Sequence, residues 1–307
     1  VADPVTGAAP TVRDLIAAPH PDVAPLPPAA RHASGVRVLR GVPYGEVEGG
    51  RPPELDLWLP EESGPGPVPL VLFVHGGAWR RGRRDDMGLR TRDWEPGPFA
   101  RIAAAGLAVA SADYRLSGEA VFPAPLDDLR TALRWLTLRS AELGVDTART
   151  VVWGESAGGH LAALLALDPG PAAPAPAGAV IWYGPSDLTA PRGPFTPEDP
   201  RTPEALLLGA APADCPERAR DASPVARAHG GAPPFLLVHG DADTMVARTH
   251  SEALAAALRA AGAQAELRLV PGADHGWHGA PDAEVADVFA HSLRFAAAKA
   301  AAATTAD

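Results

Sequence analysis

The stretch Thr150-Val151-Val152-Trp153-Gly154-Glu155-Ser156-Ala157-Gly158-Gly159-His160 governs the interpretation of the whole chain. Its first four residues are β-branched or aromatic, as a buried strand requires, and the residues after it, Leu161-Ala162-Ala163-Leu164-Leu165-Ala166-Leu167, are strong helix formers. Between them Gly154-Glu155-Ser156-Ala157-Gly158 has the G-x-S-x-G pattern of a nucleophile elbow, a sharp strand-to-helix turn that presents a serine hydroxyl. The small residues at 154, 157, 158 and 159 fit, because a strained serine leaves no room for bulk where strand and helix nearly touch. The motif alone arises by chance in Gly/Ala-rich chains; the flanking strand and helix make Ser156 the expected nucleophile.

Such an elbow needs an acid and a base, in the chain order nucleophile, acid, histidine. Pro234-Phe235-Leu236-Leu237-Val238-His239 reads as an apolar strand running into Gly240-Asp241-Ala242-Asp243. Asp241, directly after the glycine, suits the turn itself, where aspartates bond nearby backbone N–H groups; Asp243 is the favoured acid and Asp241 the rival. Ala265-Glu266-Leu267-Arg268-Leu269-Val270 alternates like a strand and leads to Pro271-Gly272-Ala273-Asp274-His275-Gly276-Trp277-His278. His275, in a glycine-bounded loop, is the favoured base, with His278 as its rival; His20, His32, His229 and His250 read as surface histidines. Upstream, the apolar run Val68-Pro69-Leu70-Val71-Leu72-Phe73-Val74 breaks into His75-Gly76-Gly77-Ala78-Trp79. Consecutive glycines leave backbone N–H groups unobstructed, so Gly76, Gly77 and Ala157 are the expected oxyanion donors. Each such donor is worth roughly 2.7–4 kcal/mol to acyl transfer.

On these motifs the chain resembles α/β-hydrolases of the carboxylesterase type, and is similar to hormone-sensitive-lipase-like and feruloyl-esterase-like esterases with an HGGAW oxyanion loop. The likeness runs from about Val36 to the final helix and takes in Asp113-Tyr114-Arg115-Leu116 and the segment around Asp128, for which it implies supporting roles. Two departures stand out: Asp274 replaces the usual small residue before the base, and the oxyanion loop runs into Arg80-Arg81-Gly82-Arg83-Arg84. Asp85 and Asp86 follow directly, so this run is expected to be a solvated loop with internal ion pairs rather than an anion-binding patch.

Alternating strands and helices predict an α/β-hydrolase fold, a mostly parallel eight-stranded sheet with helices on both faces. Strands are expected near 37–41, 55–59, 69–75, 107–112, 150–153, 178–183, 234–239 and 265–270, and helices near 124–139, 157–167, 246–261 and 283–299. Residues 1–35 form a Pro/Ala-rich arm with one short helix expected at 11–18 and a place across the site mouth open to it. Residues 36–307 form the hydrolase domain, in which 184–234 is the candidate lid or substrate wall.

The chain has 307 residues and a formal net charge of −10. That balance argues against nucleic acid, whose binding rests on basic surface. Cys215 is the single cysteine, so no intrachain disulfide forms. No metal-ligand spacing, phosphate loop or eighteen-residue apolar run occurs, so no cofactor, metal or membrane partner is expected. The default compartment is cytoplasmic, with a processed secreted form as the alternative, and both a monomer and a homodimer fit. Trp79, Trp277, Glu155, Trp182 and Tyr183 are the candidate substrate-binding residues, being next to the catalytic segments. The expected reaction is hydrolysis of a short- to medium-chain carboxylic ester through an acyl-enzyme; an arylformamide hydrolase, a lactonase or an acyltransferase or cyclase on the same scaffold is the alternative.

Overall fold

The computed structural model describes residues 19–32, 35–61 and 66–303; the short helix expected at 11–18 lies outside them. Strands are β1 (Ala30–Arg31), β2 (Arg37–Pro43), β3 (Glu54–Leu59), β4 (Val68–Val74), β5 (Ala108–Ala112), β6 (Val145–Glu155), β7 (Gly178–Trp182), β8 (Phe235–Gly240) and β9 (Ala265–Val270). They form one sheet in the order β1-β2-β3-β5-β4-β6-β7-β8-β9. From β5 to β9 every neighbour is parallel, while β1, β2 and β3 join antiparallel at one edge. Nine strands replace the expected eight because the two-residue β1, inside the proline-rich arm, pairs with β2, a contact too short to leave a periodic signal.

Alternate residues of each central strand face opposite sides, which makes two cores. Leu70, Leu72 and Val74 of β4 enter one, with Val152, Ile181 and Leu237; Val71 and Phe73 enter the other, with Trp153, Val180 and Leu236. Helices α2 (Ala124–Leu138), α4 (Ala157–Leu167) and α7 (Thr249–Ala260) close the first face through Leu129, Leu133, Leu161, Leu164, Leu254 and Leu258. Helices α1 (Pro98–Ala104) and α8 (Asp282–Ala302) close the second through Phe99, Ile102, Val285, Val288 and Phe289. Burying each such side chain stabilises the fold by roughly 1.5–3 kcal/mol. The sequence reading missed α1, which is short and starts on Pro98, a residue suited to the first helical position.

The described part of the arm does not cross the site mouth. It packs on α2, where the Trp135 indole donates to the Pro21 carbonyl at 2.9 Å and Arg134 pairs with Asp22 at 2.8 Å. The 184–234 excursion folds into α5 (Pro203–Leu208) and α6 (Pro216–Asp221), with α3 (Ser140–Leu143) the remaining helix of the set.

Candidate active site

The segments that follow β4, β6, β7, β8 and β9 converge on one cleft of about 650 Å³, at the carboxyl side of the parallel sheet where such folds bind ligands. Ser156 sits between β6 and α4 with φ 53° and ψ −123°, a conformation costing about 1–3 kcal/mol that its surroundings must enforce. They do so by close contact: a Cβ on Gly158 would lie 2.1 Å from the Val74 carbonyl oxygen, so the elbow rests directly on the end of β4. The Ser156 amide donates to the Trp182 carbonyl at 2.9 Å.

Ser156 Oγ lies 3.0 Å from His275 Nε2, and His275 Nδ1 lies 2.8 Å from Asp243 Oδ2. Asp243 Oδ1 accepts the Met245 and Val246 amides at 2.9 and 2.8 Å. Burial pushes the Asp243 carboxyl upward, but hydrogen bonds from His239 and His275 outweigh it and hold the group well below the usual range, so it stays ionised. The rivals fall outside this chain of contacts. Asp241 accepts the Gly272 amide at 2.7 Å, a turn role, and the His278 carbonyl accepts the Asp274 amide at 2.8 Å. Asp274, the unusual residue before the base, takes the Thr244 and His275 amides at 2.7 Å each and so ties the acid loop to the histidine loop.

The oxyanion side corrects the sequence reading. The Gly76 amide donates to Glu155 Oε1 at 2.8 Å and is not available to substrate. The amides of Gly77, Ala78 and Ala157 meet no acceptor among the described residues, and Ala78 lines the cleft with φ 57°. Gly77 must be glycine: at φ 118° a Cβ would lie 2.0 Å from the Arg81 carbonyl oxygen. The donor set that the geometry offers is therefore Gly77, Ala78 and Ala157. Ala78 was overlooked because an alanine gives no sign of a left-handed backbone.

Of the expected substrate-binding residues, Glu155 and Tyr183 line the cleft; Trp79, Trp182 and Trp277 do not. These three are core residues. Trp79 donates to His160 Nδ1 at 3.1 Å and stands edge-on to that ring, pinning the oxyanion loop to α4. His160 donates from Nε2 to the Ala222 carbonyl at 2.6 Å, and burial pushes the ring down to about 4, so it is neutral. Trp182 donates to Ser292 Oγ at 2.9 Å, and Trp277 packs edge-on against Trp182 and Tyr183. Tyr183 in turn stands edge-on to His275 at 4.8 Å. Burial pushes the Glu155 carboxyl upward, opposed by the charge of His275, the Gly76 amide and the Tyr183 hydroxyl.

Within the basic run Arg83 and Arg84 are held in ion pairs, while Arg81 and Arg83 line the cleft. Arg84 reaches Glu54 at 2.8 Å, Asp56 at 2.9 Å and Asp113, while Arg83 pairs with Asp85 at 3.0 Å and Arg92 with Asp86. Arg90 bonds the Trp277 carbonyl at 2.7 Å and so bridges to the histidine loop. Tyr114 donates to the His75 carbonyl at 3.0 Å and Asp128 binds Arg115 at 2.8 Å, both supporting roles. The 184–234 excursion, read as a lid or wall, contributes no residue to the described cleft lining; it reaches the site from behind, through Arg192 on the Met245 carbonyl at 2.9 Å. His250, expected at the surface, is buried and accepts the Ser186 amide at 3.2 Å. Among the described residues no group of three or more His, Cys, Asp or Glu is placed to hold a metal, and no helix is long and apolar enough to cross a membrane.

The BD-FAE family matches residues 55–258. Esterase LipC of Mycobacterium tuberculosis is 34% identical over 73% of this chain and 56% of its own length, and Esterase LipQ of the same organism 33% over 72% and 53%. The chain thus spans about half the length of these curated relatives. Among solved structures, a truncated carbohydrate esterase from gut microbiota superposes with a TM-score of 0.72 at 26% identity, over 86% of this chain and 96% of that one. A thermophilic esterase from Thermogutta terrifontis with bound propionate gives 0.66 at 25% identity, over 82% and 91%. With its elbow, its strand order and this match over most of the sheet, the chain belongs to the BD-FAE family and has the α/β-hydrolase fold.

Proposed function

We propose that the chain is a serine hydrolase that cleaves carboxylic esters with short to medium acyl chains. The observation that carries this is the hydrogen-bonded run from Ser156 through His275 to the buried Asp243, beside three amides without internal acceptors among the described residues. His275 Nε2 takes the Ser156 proton as Oγ attacks the acyl carbonyl carbon, and the carbonyl electron pair moves onto oxygen, which Gly77, Ala78 and Ala157 receive. Asp243 holds the Nδ1–H tautomer and stabilises the imidazolium. Collapse of the intermediate expels the alcohol, protonated by His275; a water activated by the same ring then releases the acid and restores Ser156.

Substrate size is read from the cleft. Leu89 and Met245 line it while remaining 70% and 42% exposed, so they offer apolar contact at the mouth rather than an enclosed tunnel for a long chain. The esterase names of the relatives and the propionate seen in one structural neighbour support the same reading.

The test is hydrolysis of p-nitrophenyl esters from acetyl to dodecanoyl by the parent chain and Ser156→Ala. The proposal expects a maximum at short chains and a loss of roughly 10⁴-fold or more in the variant. Equal rates in the two chains would overturn it.

A further inference from the structure

The penultimate residue of strand β8 is a histidine whose presence packing alone does not explain. The His239 ring is fully buried, and burying a polar ring costs free energy unless its nitrogens are paired. Both are: Nε2 lies 2.9 Å from the Val246 carbonyl oxygen and 3.3 Å from Asp243 Oδ2, and Nδ1 lies 2.7 Å from Ser251 Oγ. Each neighbour of Nε2 is an acceptor, so Nε2 carries the proton and the Ser251 hydroxyl donates to Nδ1. The ring is thereby fixed as one tautomer, its N–H on the Val246 carbonyl of the acid's own loop and 3.3 Å from the acid itself.

We infer that His239 is a positioning residue for catalysis, a second imidazole that orients the Asp243 carboxylate toward His275 and tempers its basicity. Asp243 Oδ2 lies between two histidine rings, His275 Nδ1 at 2.8 Å and His239 Nε2 at 3.3 Å, while Oδ1 is held by the Met245 and Val246 amides. Val246 closes the circuit, because its N–H holds one carboxylate oxygen and its C=O holds the histidine whose Nε2 lies 3.3 Å from the other. Rotation of the carboxylate away from His275 would break all of these contacts together. The other titratable groups around this cluster are His250, on α7, Asp274, which is itself engaged with Thr244, and on the cleft side of His275 Glu155, Tyr183 and Asp86.

The direction of the effect follows from charge. A donor on Asp243 Oδ2 draws negative charge toward His239 and weakens the pull of that oxygen on the His275 proton. Without it, the Asp243–His275 pair becomes more basic and holds its proton to higher pH, while the carboxylate also loses its fixed orientation. An apolar residue at 239 therefore lowers kcat and moves the acid limb of kcat/KM upward, with little change in KM.

The inference rests on the serine-hydrolase reading, and the experiment separates the two. Steady-state ester hydrolysis is measured across roughly pH 5 to 9 for the parent, Ser156→Ala, His239→Leu, His239→Gln and His239→Asn. Glutamine places an amide N–H near the position of Nε2 and restores the donor; asparagine is too short to reach Asp243. The expected result is a kcat about tenfold lower in the leucine and asparagine variants. Their acid limb should sit about half to one unit higher, with the parental limb recovered in the glutamine variant. Should His239→Leu fail to fold, the glutamine and asparagine pair carries the same contrast. An unchanged limb in His239→Asn, or equal shifts in the asparagine and glutamine variants, would overturn the positioning role. Retained activity in Ser156→Ala would instead overturn the nucleophile assignment.

Discussion

Two loop systems meet over Ser156, and they are held in different ways. On one side the acid and histidine loops, 240–246 and 271–278, are fixed around the buried Asp243 carboxylate, which meets His275 and two amides, and are tied at the exposed rim by Asp274 on Thr244. On the other side the segment 75–92 begins with equal rigidity, its Gly76 amide on Glu155 and its Trp79 on His160, and then opens into arginine–aspartate pairs at the surface. The carboxylate that orients the base is shut off from water. The mouth, where substrates differ, is built from contacts that water screens.

This contrast is challenged most severely at the buried end. Asp243→Asn is expected to lower kcat on the order of 10⁴-fold, because the amide no longer enforces the His275 tautomer. Asp241→Asn, two residues away with its carboxylate on the Gly272 amide, should stay within about tenfold of the parent in kcat/KM. Comparable losses in the two variants would mean that the acid has been misassigned. Next comes Gly77→Ala, whose Cβ would meet the Arg81 carbonyl oxygen at 2.0 Å and displace the oxyanion amides. Here kcat should fall about 10²- to 10³-fold with a smaller change in KM.

The anchor beneath the mouth is read by pH. His160, pushed down to about 4 from an ordinary 6.5, favours the native state while it is neutral. The unfolded chain takes up the proton first as pH falls, so that stability is complete above about pH 6.5 and is lost on the way to about pH 4, by up to roughly 1.4 kcal/mol per unit. In thermal melts His160→Gln should show a shallower fall over this window; a slope matching the parent would mean that His160 does not set the acid sensitivity. The smallest effects belong to the outer mouth. Arg84→Ala strips a partner from the buried Asp56 and should cost roughly 1–3 kcal/mol. Arg83→Ala, at an exposed pair, should change stability by less than about 1 kcal/mol and leave neutral-ester kinetics alone. If the two arginines prove equal, the distinction between screened and buried contacts fails at this edge.

What the sequence disclosed follows the same division. Ser156, Asp243 and His275 could be read because each follows a strong apolar strand in a pattern that ordinary packing does not require, and the central strands could be read because their apolar runs are long. Contacts between segments far apart in sequence were not visible. Nothing in Glu155 says that it captures the Gly76 amide 79 positions away, nothing in Trp79 says that its indole meets His160, and the proline-rich arm gave no hint of β1. His239 did leave a trace, a polar residue next to last in an otherwise apolar strand, and its meaning emerged only once Asp243 was seen beside it.

All of the chemistry above depends on Ser156 being the nucleophile, and covalent trapping reads that directly. A fluorophosphonate probe reacts by attack of an activated serine oxygen on phosphorus, with loss of fluoride. Intact mass and peptide mapping should then show a single adduct per chain, on the peptide containing Ser156, absent in Ser156→Ala and much slower in His275→Ala. An adduct on another serine that persists in Ser156→Ala, or an active parent chain that takes up no probe, would rule out Ser156 as the nucleophile.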